Sequence, residues 1–390
     1  VRLEAVRRGL GERAATWPLL TVDATDERAV SELAARTRVL VTTVGPYSRY
    51  GLPLVTACAA AGTHYADLTG EVLFVRRSID ANHRTAQRTR ARIVHSCGFD
   101  AVPSDLGVWL TAQAAAADGA GTLTETTLHV TQFRGGVSGG TIDSARQQAI
   151  EASGDPAVRP LLADPYALSP SRAEEPAEPP AGRVARLRGV LPIGRTAPSG
   201  VFTAPFVMAS FNTRIVRRSN ALAGWSYGRG LRYREVMDAG TGPRGALTAI
   251  VTTVGLGALA GGLMLGPTRA VLDRLLPAPG QGPSERTLRA GRFAVEIEAM
   301  TTSGARYLTR FGAGLDPGYY GTAVMLGESA LALALDDLPD RAGVLTPAIA
   351  LGDALALRLR VHGFTVETCR IPQGRRDIGG VHPDRVDPAS

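Results

Sequence analysis

Through the first hundred residues, short unbroken apolar runs alternate with longer stretches whose apolar positions recur every three or four residues. Leu19–Asp23 reads as a short strand, and Thr25 or Asp26 as the cap of a helix carrying Val30, Leu33, Ala34 and Thr37 along one side. Val39–Val44 is a continuous apolar strand. Leu52–Ala61, closed by Gly62, predicts a small-residue helix, Tyr65–Leu68 a third strand, Val72–Arg90 an amphipathic helix and Arg92–Ser96 a fourth strand. Strands without polar alternation, separated by helices and short loops, predict an α/β fold: a doubly wound, Rossmann-type parallel sheet covered on both faces.

From Leu123 the texture changes to strand-like alternation, as in Thr127–Thr131, followed by a helix over Thr141–Ala152 and further strands at Val201–Ser210 and Phe293–Thr302. The expected organisation is a partial dinucleotide-binding domain over 1–122 and an inserted α+β substrate domain over 123–310. Segment 311–369 then returns to the first domain, and 370–390 forms a disordered tail. Segment 169–200, rich in Pro, Glu and Arg, reads as a mobile excursion. A doubly wound domain should open with a strand, a Gly-rich turn and a helix that holds a pyrophosphate. The chain instead starts within a helix, and its early pair Gly9 and Gly11 follows that helix as glycine does at a C-terminus. The expectation is a first βαβ unit, roughly 30–40 residues, absent from this chain.

The 43 basic side chains outnumber 36 acidic ones for a net charge of +7, and the sequence contains no lysine. That excludes a Schiff-base or P-loop lysine. Three distant cysteines, Cys58, Cys97 and Cys369, fit neither a disulfide framework nor a zinc site, and a reducing, cytoplasmic compartment is expected. Scattered arginines with only 5% aromatic residues argue against nucleic acid. Ala246–Leu265 carries no charge over 20 residues. It reads as a buried or membrane-contacting helix, with a true span as the alternative, and places the protein peripherally at the inner face of the plasma membrane.

Ligands of parallel sheets bind at the carboxyl ends of the strands. Three segments arrive there. In Thr42–Gly51, Gly45 lets a cofactor approach the backbone and Pro46 fixes the turn. In Tyr65–Glu71, a helix cap accounts for Thr69 and Glu71, leaving Tyr65 and Asp67 as candidates. In His95–Asp105, Pro103 and Asp105 suit a helix start, whereas Gly98 and Asp100 have no such explanation. Cys97 reads as a buried structural thiol; His64, His83 and His129 lack metal-ligand spacing, and no metal site is expected.

Val41–Tyr47, Tyr50–Val55, Tyr65–Glu71 and Gly98–Asp105 together resemble the saccharopine dehydrogenase-like oxidoreductases. Phe133–Gly136 with Ser138–Thr141, Asn212–Ser219 and Gly304–Leu308 resemble more narrowly the actinobacterial trans-acting enoyl reductase branch. The resemblance implies NADP(H) as cofactor, with Asp23, Thr43, Gly45, Pro46, Tyr47, Gly98, Phe99 and Asp100 binding it. It also implies reduction of an enoyl chain on a polyketide synthase acyl carrier, or as an acyl thioester, in cell-envelope lipid synthesis. Enoyl reduction places a hydride on the β-carbon and needs a donor for the enolate oxygen; Tyr47 is the expected donor, Tyr65 the second choice. A membrane surface and a second copy of the chain are further expected partners. A saccharopine-type amino-acid dehydrogenase and a non-catalytic truncated homologue that binds membrane or synthase are the alternatives.

Overall fold

A computed structural model describes residues 2–136, 139–176, 194–195, 200–264, 267–268, 271–272 and 282–372. The first helices are α1 (Arg2–Gly9), α2 (Glu27–Ala35), α3 (Tyr47–Ala61), α4 (Val72–Thr89) and α5 (Val102–Ala117), interleaved with strands β1 (Val39–Thr42), β2 (His64–Asp67) and β3 (Arg92–Val94). Next come β4 (Leu123–Arg134), α6 (Gly139–Gly154), α7 (Val158–Ala163), β5 (Gly194–Arg195), β6 (Phe202–Pro205), α8 (Ala209–Leu222), β7 (Arg232–Gly240) and α9 (Gly242–Met264). The last elements are α10 (Glu285–Arg289), β8 (Arg292–Thr301), β9 (Arg306–Ala313), a π-helical turn Pro317–Gly321, α11 (Thr322–Leu335), β10 (Gly343–Leu345), α12 (Pro347–Val361) and β11 (Thr365–Ile371).

Two sheets organise the molecule. The first is parallel, in the order β1-β2-β3-β10, with α3 and α4 against one another on one side and α11 against β1 and β2. The second is mixed, in the order β11-β9-β8-β4-β7-β6-β5, with only β4 and β7 parallel. This is the expected pairing of a doubly wound sheet with an α+β unit. Helix α5 joins the two by leaving β3 and packing on β8 and β9. Gly107 permits the approach, because a Cβ there would lie 2.4 Å from Ile297. Fully buried Arg218 on α8 donates to Leu168 O at 2.7 Å and Val344 O at 2.6 Å, tying the second unit back to β10.

Several elements differ from expectation. Leu19–Asp23 forms no strand; Leu19 and Leu20 are exposed, because an extended segment without a ladder partner gains nothing from its apolar residues. Asp26, not Thr25, caps α2, accepting from Arg28 N–H and Ala29 N–H. Among the described residues, β10 is the one strand after residue 311 that joins the first sheet; β11 pairs with β9 in the second and runs past the expected start of the tail. Val41 is 41% exposed because β1 is the outermost described strand of its sheet. Helix α9 is on the surface, not buried. Most of the 169–200 excursion and residues 373–390 of the tail lie outside the described residues.

Candidate functional site

The loops after β1, β2 and β3 lie at one end of the parallel sheet, and the first two meet the middle of α6. After β1, Thr43, Val44 and Gly45 are exposed while Pro46 and Tyr47 turn inward. Glu71, 2% exposed, reaches back from the start of α4 to the start of α3. Its Oε1 accepts from Tyr47 N–H at 2.8 Å and its Oε2 from Ser48 N–H at 2.9 Å. Ser144 of α6 donates to the same Oε1 at 2.7 Å, and Gln147 of α6 meets Arg49. Glu71 reads in the sequence as an ordinary cap of its own helix; it caps a different one, and nothing within its local window shows this.

The second loop is built on Asp67, which is fully buried. Its Oδ1 accepts from Thr69 N–H at 3.1 Å and Ser96 N–H at 3.0 Å; its Oδ2 meets Tyr65 OH at 3.0 Å and His95 Nδ1 at 2.7 Å. His95 Nε2 lies 2.8 Å from Ser78 Oγ. Burial among these groups pushes the Tyr65 phenol well above its ordinary range. Tyr47, also buried, donates its OH to Thr42 O at 3.3 Å and accepts from Leu68 N–H at 3.2 Å, and burial raises its phenol too. Both phenol protons are therefore committed within the protein, and the tyrosines join strand ends to loops.

The third loop separates its residues. Phe99 packs among Phe133, Phe206 and Phe293, at 5.8, 6.5 and 4.8 Å between ring centroids, and its N–H donates to Thr322 Oγ1 at 2.9 Å. It anchors the loop after β3 to the second sheet. Gly98 is required by the same contact, since a Cβ would sit 2.9 Å from Leu68 and 3.2 Å from Thr322. Asp100 is half-buried, and desolvation alone, with no bond or charge offsetting it, pushes its carboxyl up to about 6. Asp23 lies on an exposed turn outside both sheets, bonded to Thr25, which holds its carboxyl below the ordinary range. A separate buried cluster, unmarked by local sequence, joins Glu235 to Tyr233 OH at 2.8 Å and to Asn212 Nδ2 at 2.9 Å. Among the described residues no cluster of His, Cys, Asp and Glu fits a metal ion.

No family model matches the chain. Among curated proteins, a provisionally named trans-acting enoyl reductase of Mycobacterium tuberculosis H37Rv is 51% identical over 382 residues, covering 95% of this chain and 89% of that one. The trans-acting enoyl reductases of Mycobacterium ulcerans and Mycobacterium bovis BCG are 47% and 45% identical over the same shares. The chain belongs to the trans-acting enoyl reductase family. It is therefore an oxidoreductase, as the motifs around Gly45 and Gly98 led one to expect. Among solved structures, apo saccharopine dehydrogenase of Saccharomyces cerevisiae overlays 94% of the chain and 92% of its own, at TM-score 0.48 and 10% identity. Homospermidine synthase of Legionella pneumophila in complex with NAD covers 95% and 84%, at 0.42 and 10%.

The residues present fit one end of a nicotinamide dinucleotide. The loop Thr43–Gly45 is exposed at a strand end, and the space over Gly45 is open, its nearest neighbour being the Tyr47 ring at 3.7 Å. Three helix starts around the parallel sheet already hold internal acceptors. Glu71 fills that of α3, Gln148 Oε1 takes Val72 N–H of α4 at 2.9 Å, and Asp105 Oδ2 takes Ala348 N–H of α12 at 2.8 Å.

Proposed function

We propose that this reductase uses NADP(H) to reduce the C=C bond of an enoyl thioester carried by a polyketide synthase, in the synthesis of a cell-envelope lipid. Family membership supports the reaction class. A bound reduced nicotinamide would supply a hydride to the β-carbon of the substrate.

The chain's own residues then have three tasks. The exposed backbone of Thr43, Val44 and Gly45 would hold the nicotinamide end, next to the buried Pro46 and Tyr47 as a fixed floor of the loop. Tyr47 positions that floor through Thr42 and Leu68. Asp100, whose carboxyl burial raises to about 6, delivers a proton from its protonated form to the α-carbon, completing addition of one hydride and one proton. Asp23 and Phe99 take no part in this reading. The observation that carries it is the 51% identity to a trans-acting enoyl reductase over 95% of the chain, beside which stands the half-buried Asp100 carboxyl on the loop after β3.

The test is a reaction of the purified chain with a 2-enoyl N-acetylcysteamine thioester and NADPH deuterated at C4. Deuterium at the β-carbon of a saturated product supports the reading. Turnover of a cyclic imino acid with none of the thioester would reject it.

A further inference from the structure

Among the described residues, α9 is the one helix long and apolar enough to cross a bilayer, with mean hydropathy 1.8 over its best window. The core helix of a globular protein passes the same test but is mostly buried; only 17% of this window is. Its buried positions are Gly245, Ala249, Thr253 and Leu263, and the first three repeat every four residues as one narrow stripe. That stripe rests along β6 and β7, with Gly245 pressed so closely on Gly240 that a Cβ would lie 2.3 Å from its carbonyl oxygen. The outward side carries Leu247 and Val251, each 62% exposed, Val254 at 56% and Ile250 at 47%. No charged residue lies between Arg244 and the end of the helix at Met264.

One exposed arginine stands near each end of this apolar face. Arg244 is exposed at its start. At its finish, Ser153 of α6 donates to Met264 O at 3.1 Å, and the exposed Arg159 donates to Ala152 O at 2.8 Å and Ser153 O at 3.2 Å. Asp155 in the same turn is bonded to Ala157 N–H. An apolar stretch with guanidinium groups at both ends matches the acyl layer and phosphates of a bilayer surface. A parallel two-fold pair of this helix would set Arg244 against Arg244, whereas an antiparallel one would bring Arg244 against Arg159 with Asp155 beside it. The inner stripe, held by two strands, stops the helix from entering lipid on all sides, so it cannot span.

We propose that α9 lies in the plane of an anionic membrane surface and seats the enzyme there, its outer face among the acyl chains. Helix α6, which reaches from Met264 to Glu71, then holds the catalytic loops next to the lipid. The inference stands apart from the reaction, because membrane binding is measured without turnover.

The experiment is co-sedimentation of the full chain with vesicles of phosphatidylcholine alone or with added phosphatidylglycerol, beside sedimentation equilibrium in buffer. The expected result is binding to the anionic vesicles that weakens with salt. It should fall at least tenfold in the triple variant Leu247→Glu, Val251→Glu, Val254→Glu at unchanged melting temperature. The single variant Arg244→Glu, which leaves the apolar face intact, should lose about fivefold. Wild-type chain left in the supernatant, or variants that bind as well as wild type, would overturn the proposal. So would a dimer that the triple variant splits, which would assign the face to a second copy.

Discussion

Glu71 closes the start of the helix that opens with Tyr47, placing a carboxylate oxygen 2.8 Å from its N–H across 24 residues of sequence. Two charge-assisted bonds to one helix N-terminus, in a site 2% exposed, make this an internal anion where the fold could have received an external one. Glu71→Gln keeps the acceptor oxygen and should cost about 1–2 kcal/mol; Glu71→Ala, which strands two N–H groups, should cost about 3 kcal/mol. Urea unfolding measures both, and an alanine variant as stable as wild type would show that the contact holds nothing.

Asp67 satisfies four donors at once, and its removal leaves His95 and Tyr65 buried without it. Asp67→Ala should destabilise the fold by about 3–5 kcal/mol. Tyr65→Phe deletes one bond of the four and should cost about 1 kcal/mol while leaving kcat within a few-fold. A hundredfold loss of kcat in Tyr65→Phe with normal stability would instead make its phenol a proton source.

What the sequence shows and what it hides divides by distance along the chain. β1, β2 and β3 are legible because short runs centred on apolar residues alternate with helical periodicity, and α4 because Val72, Val75 and Ile79 share a face. Leu19–Asp23 has the same local composition as a strand but no neighbour to pair with, which no local pattern records. Asp100 is legible as a residue the helix start does not need. Phe99, four residues before Pro103, looks like part of the same turn, yet its surroundings come from Phe133, Phe206 and Phe293. Hydropathy marks α9 from Ala246 onward, but only packing against β6 and β7 shows which residues it keeps for the protein.

Gly45 and Gly98 are both expected at the cofactor, and their surroundings separate them. A methyl group at Gly98 would overlap Leu68 and Thr322, so Gly98→Ala should cost about 1–3 kcal/mol. At Gly45 the nearest atom is 3.7 Å away, so Gly45→Ala should fold with an unchanged melting temperature. On the proposed seating of the nicotinamide, its methyl would meet the ring and raise KM for NADPH tenfold or more. An unchanged KM would move the ring elsewhere.

Asp100 supplies the pH dependence, and its sign follows from the direction of the shift. Burial raises its carboxyl from 3.8 to about 6, so the folded state binds this proton more tightly than the unfolded chain. The associated stability is complete below about pH 4 and is lost as pH rises through 6, by up to about 3 kcal/mol. Asp105 and Glu235, each pushed up to about 7 by burial, act in the same direction and remain in any Asp100 variant. Asp100→Asn should therefore match wild type at pH 4 and exceed it in stability at pH 8, a gap that thermal melts across that range would show. Catalysis should move the opposite way. If Asp100 delivers the proton to the α-carbon, wild-type kcat falls as pH climbs past about 6, and Asp100→Asn loses that slope together with about 10²–10⁴ in kcat. A variant that is more stable at pH 8 yet keeps wild-type kcat would leave Asp100 as a strained carboxyl and place the proton source on another group.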